Sequence, residues 1–284
     1  MRIPLKLERV SERAYANWDP ESRCNAGAII LDDRVLVVDA QFPAIAKDFR
    51  SAVAEITSKP ITHLLLTHIH ADHVFGAQVY EDCNIVSQIW LREKMERSLG
   101  DEWAPQNLGR LLEGFQRNIP DIMSLCQGLR LVTPTETFMD RYEVDDIAFI
   151  HTGGHTDCSS VVYDPEDRTL FIGDLLWAST GSGSDPDTWI RALERVVAMD
   201  IMRIVPGHGP LCGLEEVRGH LEWMKDIKGE MRALIDEGVS EAEAMGAEYS
   251  PLNTVFRSDW QSRCFPHWYR YWKDLQKAES TIHR

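Results

Sequence analysis

Residues 64–76, LLLTHIHADHVFG, constrain this chain more than any other stretch. A strand-length apolar run ends in His68, His70, Asp72 and His73, so four side chains with metal-binding chemistry leave one strand end within six positions. Alternate residues of an extended segment point the same way, which lets His68 and His70 reach one ion. Asp72 and His73 face differently as they open a helix, and a second ion beside the first follows from that change of direction. Imidazole together with carboxylate suits zinc, and iron as well.

The rest of the sequence supplies more groups of the same kind. HTGGHTDCSS places His155 after an apolar strand and two glycines, LFIGDLLW places Asp174 after another strand, and RIVPGHGP places His208 after a third. Each lies at a strand end on a glycine-containing loop, where backbone can pack close to a site. Around them, NAGAIILDD and RVLVVDA read as a hairpin turning at Asp32 and Asp33, PAIAKDFRSAVAEI as a helix and THLLLT as a buried strand. ADHVFGAQVY reads as a helix with Asp72 as its N-cap. A short strand NIVS precedes helices near 88–99 and 103–118; strands follow near 144–151, 159–164 and 168–173, then a helix near 187–199 and the strand MRIVP.

Strands joined by both hairpins and helices predict an α/β fold of mixed sheets covered by helices. From Leu214 onward the chain reads as helical, with LEEVRGHLEWMKDIKGEMRALIDEG and the aromatic FPHWYRYWKDLQKAE as its main pieces. The expected division is a catalytic domain over 1–213 and a helical extension, 214–284, docked on it.

Composition narrows the function. The 284 residues are 44% hydrophobic, enough for a substantial core, and the formal net charge of −15 argues against a nucleic-acid partner, which needs clustered Lys and Arg. No run approaches the roughly 20 apolar residues of a membrane span. The start, MRIPLKLERVSERAYANW, has no signal-peptide pattern, so the expectation is a soluble cytoplasmic protein without membrane contact. Cys24, Cys83, Cys126, Cys158, Cys212 and Cys264 form no CxxC pair and read as reduced thiols, buried or incidental. Cys158 makes an HxxC pair with His155 but adds nothing to a ligand set that is already complete. His63, His151, His220, His267 and His283 fall outside the pattern and read as structural or solvated.

Taken in order, Asp39, His68, His70, Asp72, His73, His155, Asp174 and His208 resemble the ligand series of the metallo-β-lactamase fold superfamily over about residues 25–210. The helical tail resembles, more weakly, that of a branch with quinoprotein-relay and sulfur-oxidation-associated hydrolases. The resemblance implies an αββα sandwich, two mixed β-sheets flanked by helices, with the tail as a C-terminal extension. It implies two Zn2+ ions, with iron or manganese also admissible. His68, His70 and His155 would hold one, Asp72, His73 and His208 the other, and Asp174 would bridge them. Asp39 would hold the histidine loop by hydrogen bonds, and Trp177 would line the pocket. The activity implied is that of a hydrolase in which a metal-bridging hydroxide attacks a carbonyl centre: an ester, lactone, thioester or β-lactam. Asp72 would be the catalytic residue, orienting the hydroxide or shuttling its proton. The partner is a small-molecule substrate, and a homodimer is compatible with this reading.

Alternatives come from within the same resemblance. HxHxDH with histidines only at the first metal resembles the third subclass of metallo-β-lactamases, and glyoxalase II-like thioesterases share the ligands. A mononuclear iron persulfide dioxygenase would leave the second position vacant. The flavodiiron pattern carries Glu where this chain has His70.

Overall fold

The computed structural model describes residues 5–18, 24–177, 185–251 and 260–282. A first sheet orders β1 (Glu8–Arg9), β2 (Ala14–Ala16), β3 (Gly27–Ile30), β4 (Val35–Val38), β5 (Ile61–Leu66), β6 (Asn84–Gln88) and β7 (Glu136–Phe138) side by side. β1 to β4 are antiparallel neighbours. β4 to β7 run parallel, because each connection between them carries helix. α1 (Pro43–Ile56) joins β4 to β5; α2 (Ala71–Val74) and a 3₁₀ turn join β5 to β6; α3 (Ile89–Leu99), α4 (Leu108–Phe115) and α5 (Ile122–Leu125) lead to β7. The second sheet contains β8 (Arg141–Val144), β9 (Ile147–His151), β10 (Ser160–Asp164), β11 (Thr169–Gly173) and β12 (Arg203–Pro206), with spatial order β12-β11-β10-β9-β8. α6 (Pro186–Val197) connects β11 to β12. After β12 come α7 (Leu214–Asp236), α8 (Glu241–Met245), α9 (Trp260–Arg263) and α10 (Phe265–Ile282).

Side-chain alternation builds four layers from these elements. In β4, Leu36 and Val38 point between the sheets and meet Phe149, Val162, Phe171 and Val205 of the other sheet. Val35 and Val37 point the opposite way, into a cluster with Ile45, Phe49 and Val53 of α1. This is why VLVV is apolar throughout: both of its faces are covered. α1 begins with proline in its first turn and buries Ile45, Ala46, Phe49, Ala52 and Val53 at helical spacing. Behind the second sheet, Leu170, Ile172 and Ile204 share one cluster with Trp189 of α6, Ile227 of α7 and Trp268 of α10. The result is a mixed α/β fold of two sheets flanked by helices.

Three local expectations change. The helix after β5 has His70, not Asp72, in the N-cap position, without a side-chain cap hydrogen bond, and it runs only from Ala71 to Val74 before tightening into the 3₁₀ turn Phe75–Tyr80. Asp72 cannot cap because its carboxylate is turned toward His208, 3.3 Å away. The chain tightens where Gly76 closes on the β4 end: its N–H donates to the Gln41 carbonyl at 2.7 Å, and a Cβ there would sit 2.0 Å from the Ala40 oxygen. The run 144–151 divides into the β8–β9 hairpin, turning at Asp145 with φ of 53°. β1, β2 and β7, of two or three residues each, are additions that short spans leave unmarked in the sequence. Among the described residues no helix is long and apolar enough to cross a membrane.

Candidate metal centre

The C-terminal ends of β4, β5, β11 and β12 lie together, and the loop after β9 reaches the same edge. The Ser160 N–H donates to the Thr67 carbonyl at 2.9 Å and ties the two sheets beside the histidine loop. Asp39 follows β4, His68 to His73 follow β5, His155 follows β9, Asp174 follows β11 and His208 follows β12.

Two groups of donor atoms meet at Asp174. On one side His70 Nδ1 lies 3.1 Å from His68 Nε2 and 3.0 Å from His155 Nε2. Asp174 Oδ2 is 3.4 Å from His68 Nε2, 3.4 Å from His155 Nε2 and 4.0 Å from His70 Nδ1. On the other side His208 Nε2 is 3.3 Å from Asp72 Oδ2 and 3.4 Å from Asp174 Oδ2, while His73 Nε2 is 3.3 Å from Asp174 Oδ1 and 3.9 Å from Asp72 Oδ2. Donors about 2.0–2.1 Å from a tetrahedral ion are separated by about 3.3–3.4 Å, so most separations in both groups, though not His70–Asp174 or His73–Asp72, are close to those of a coordination shell. The donor chemistry agrees. Three ring nitrogens converge there, and His73 Nε2 and Asp174 Oδ1 are buried with no hydrogen-bond partner. A cation is the group this arrangement accommodates.

Backbone and side-chain contacts fix the donors. Asp39, at φ of 64°, accepts from the Thr67 N–H at 2.8 Å and the Thr67 hydroxyl at 2.9 Å, and its Oδ2 accepts from His73 Nδ1 at 2.8 Å. With its Nδ1 proton committed there, His73 presents Nε2 to the centre. Gly207 is pressed between Asp174 and His73: a Cβ on it would lie 2.0 Å from Asp174 Oδ1. Asn25 holds that loop, its N–H donating to the Gly207 carbonyl at 2.6 Å and its side-chain amide to the carbonyls of Pro206 and Gly209, both at 2.8 Å. Trp189 braces the far side. Its ring lies edge-on to His155 with centroids 5.3 Å apart, and its Nε1–H donates to the Leu175 carbonyl at 2.9 Å.

Burial and charge then set the protonation of the side chains. Burial pushes the His68 imidazole down to about 4, and burial with His70 nearby holds His155 well below the ordinary histidine range. Both are neutral at neutral pH, with lone pairs free for a cation. Burial alone would lower His73 too, but Asp174, Asp39 and Asp72 hold it well above that range; His208 is raised against burial by Asp174 and Asp72. Burial would raise Asp174, yet His208, His73 and His68 hold it well below the usual carboxylate range; His73 and His208 likewise lower Asp72. The floor is closed while the rim is open: the His68, His73, His155 and Asp174 side chains are at most 3% exposed, against 40% for His70, 28% for His208 and 23% for Asp72.

All seven expected ligands therefore lie at one centre, with Asp39 behind them. Trp177 is buried in the cluster behind the second sheet, at φ of 63°. Pocket shape depends on loops around 18–24, 100–130 and 176–186, whose conformations the sequence does not fix; most of the first and third lie outside the described residues. Phe75 packs in the core beside Phe42 and Trp103. Cys158 is buried against the Thr156 hydroxyl, away from the donors. Of the other histidines, His63 is buried beside Thr62, His151 lies edge-on to Trp90 and bonds the Asp157 carbonyl, and His220 is fully buried against Trp189 and Trp223. His283 lies outside the described residues. Sequence reasoning missed Asn25, Thr67, Gly207 and Trp189. A polar residue before a strand and a glycine before His208 are signals too common to single out.

Residues 19–208 match the family model of the metallo-beta-lactamase superfamily. The chain belongs to this superfamily. Metallo-β-lactamase superfamily proteins are mostly hydrolytic metalloenzymes and typically bind metal ions. Among curated relatives, the chain is 24% identical over 232 residues to the linear primary-alkylsulfatase of Pseudomonas sp. (strain ATCC 19151), covering 70% of this chain and 43% of that protein. It is 23% identical over 193 residues to the beta-lactamase-like protein 2 homolog of Caenorhabditis elegans, 66% of this chain and 57% of the relative. The Drosophila melanogaster homolog of the same name is 27% identical over 165 residues, 57% and 49% of the two chains. This chain thus spans about half the length of the curated relatives it matches. The solved structure of TMB-1 superposes with a TM-score of 0.60 at 14% identity, over 79% of this chain and 98% of that one, which is a likeness of fold.

Proposed function

We propose that the protein is a zinc-dependent, binuclear hydrolase of a small-molecule carbonyl compound: an ester, lactone, thioester or β-lactam. The observation that carries this reading is the pair of tetrahedrally spaced donor groups on either side of Asp174. His68, His70 and His155 would hold one ion and Asp72, His73 and His208 the other, with Asp174 shared. When bound, such ions supply Lewis acidity and lower the pKa of water toward about 7.

The chain's own residues do the rest. His68 and His155 stay neutral and keep their lone pairs directed at the centre. Asp39 anchors His73 through Nδ1, which turns Nε2 toward the centre. Asp72 is both ionised and partly open to solvent, so the oxygen of its carboxylate that is not directed at the ion could take the proton of an attacking water and return it to the leaving group. His70, Asp72 and His208 form the open rim, and substrate reaches the centre over them.

The test combines metal analysis of the purified protein with a chromogenic panel of ester, lactone, thioester and β-lactam substrates, before and after chelation. We expect two zinc ions per chain and turnover that disappears on chelation and returns with zinc. A chelator-stripped sample that stays fully active would overturn the reading, and iron with oxygen uptake would support the dioxygenase alternative. A sulfate ester is the second reading, favoured by the similarity to the alkylsulfatase; an alkyl sulfate in the panel distinguishes it.

A further inference from the structure

Cys24 stands out from the other cysteines by its position. Its Sγ, a carboxylate oxygen of Asp72 and a ring nitrogen of His73 lie within 4.8 Å of one another, and none of the other five belongs to such a group among the described residues. The side chain is buried, and Sγ donates to the Asp72 carbonyl at 2.7 Å. The backbone is held on both sides: the Cys24 carbonyl accepts from Gln41 Nε2 at 2.6 Å, and the next residue, Asn25, grips the loop that carries His208. A separate observation points to a ligand at the same spot. His73 Nε2 is fully buried with no hydrogen-bond partner.

We infer that Cys24 is a sulfur donor to the cation held by Asp72 and His73, and that it biases this position toward thiophilic divalent ions. The inference rests on the metal-centre reading above. On binding, the S–H bond breaks, its proton passes to solvent and a sulfur–metal bond forms, with no change of oxidation state. A soft thiolate beside imidazole and carboxylate favours zinc, cobalt or cadmium over magnesium and manganese, which prefer oxygen.

The test loads the full chain and its Cys24→Ser variant with cobalt(II), then with cadmium. The wild type should show a near-ultraviolet sulfur-to-cobalt charge-transfer band alongside the visible bands of histidine-bound cobalt. The variant should lose only the former, and its cadmium affinity at one position should fall by more than the roughly tenfold lower limit typical of groups one layer outside a metal. Should the variant misfold, X-ray absorption at the cadmium edge of the wild type decides alone: one sulfur per two metals supports the inference, and a shell of nitrogen and oxygen only overturns it. Two cobalt ions with no sulfur band would overturn the Cys24 inference and leave the metal centre standing. No cobalt binding would overturn both.

Discussion

Gly207→Ala tests the centre with a single methyl group. A Cβ at this position would stand 2.0 Å from Asp174 Oδ1 and 3.0 Å from both the Gly173 carbonyl carbon and His73 Cε1, about 1.4 Å short of the 3.4 Å at which ordinary contact with the carboxylate begins. The backbone has no room to retreat. The Gly207 N–H is held by the Gly173 carbonyl at 2.8 Å, and its own carbonyl is held by the Asn25 N–H at 2.6 Å. The carboxylate shared by both donor groups must therefore move by an ångström or more. Overpacking of this kind costs about 1–3 kcal/mol of stability, and a misplacement of about 1 Å at a catalytic group costs on the order of 10²-fold in rate. Metal per chain after gel filtration against a chelator, the melting temperature and turnover on an active panel substrate read the three effects. Gly219→Ala is the control, because a Cβ there meets nothing within 4 Å. If Gly207→Ala retains its metal and turns over like the wild type, Asp174 does not join two metal positions and the reasoning fails.

Asp39→Asn removes the charge that accepts from Thr67 and His73 Nδ1, and should weaken metal binding by about 10–100-fold in a competitive chelator titration; unchanged affinity would show that the histidine loop holds itself. Asp72→Asn should depress turnover well beyond its loss of metal, and equal losses would refute proton transfer by Asp72. His220 gives a pH signature away from the donors. Burial lowers its folded-state pKa from 6.5 to about 3, so the unfolded chain binds the extra proton between those values. The stability that its neutral form contributes is complete above pH 6.5 and is lost as pH falls toward 3, at about 1.4 kcal/mol per pH unit. His220→Gln should flatten the urea-measured stability profile over that window, and parallel profiles would place the acid sensitivity elsewhere.

The elements that sequence reasoning located are those whose periodicity has room to repeat. α1 matches its expected span because five of its buried residues recur at helical spacing over fourteen positions, and β5 falls within one residue of its own because Leu64, Leu65 and Leu66 are all buried. The helix expected to be capped by Asp72 starts at Ala71 for a physical reason. Asp is a good N-cap only when its carboxylate is free to turn back to the backbone, and here it faces His208 and His73 instead. Local propensity described a helix start, and tertiary electrostatics moved it by two residues.

The donors themselves were legible because each stands at the end of an apolar strand on a short loop, an arrangement visible in one dimension. What holds them was not. Asn25 reaches the His208 loop across more than 180 positions, and Trp189 touches His155 from a helix whose apolar stripe looks like ordinary core. Trp189 in turn packs at 6.2 Å on Trp268 of α10 and at 6.2 Å on His220 of α7, so the helices after β12 press on the same indole that backs a donor histidine and pins the residue after Asp174. A close-packed interior transmits such displacements, since it has few voids to absorb them. The helical tail thus meets the support of the centre at Trp189, a relation of packing that no spacing along the chain encodes.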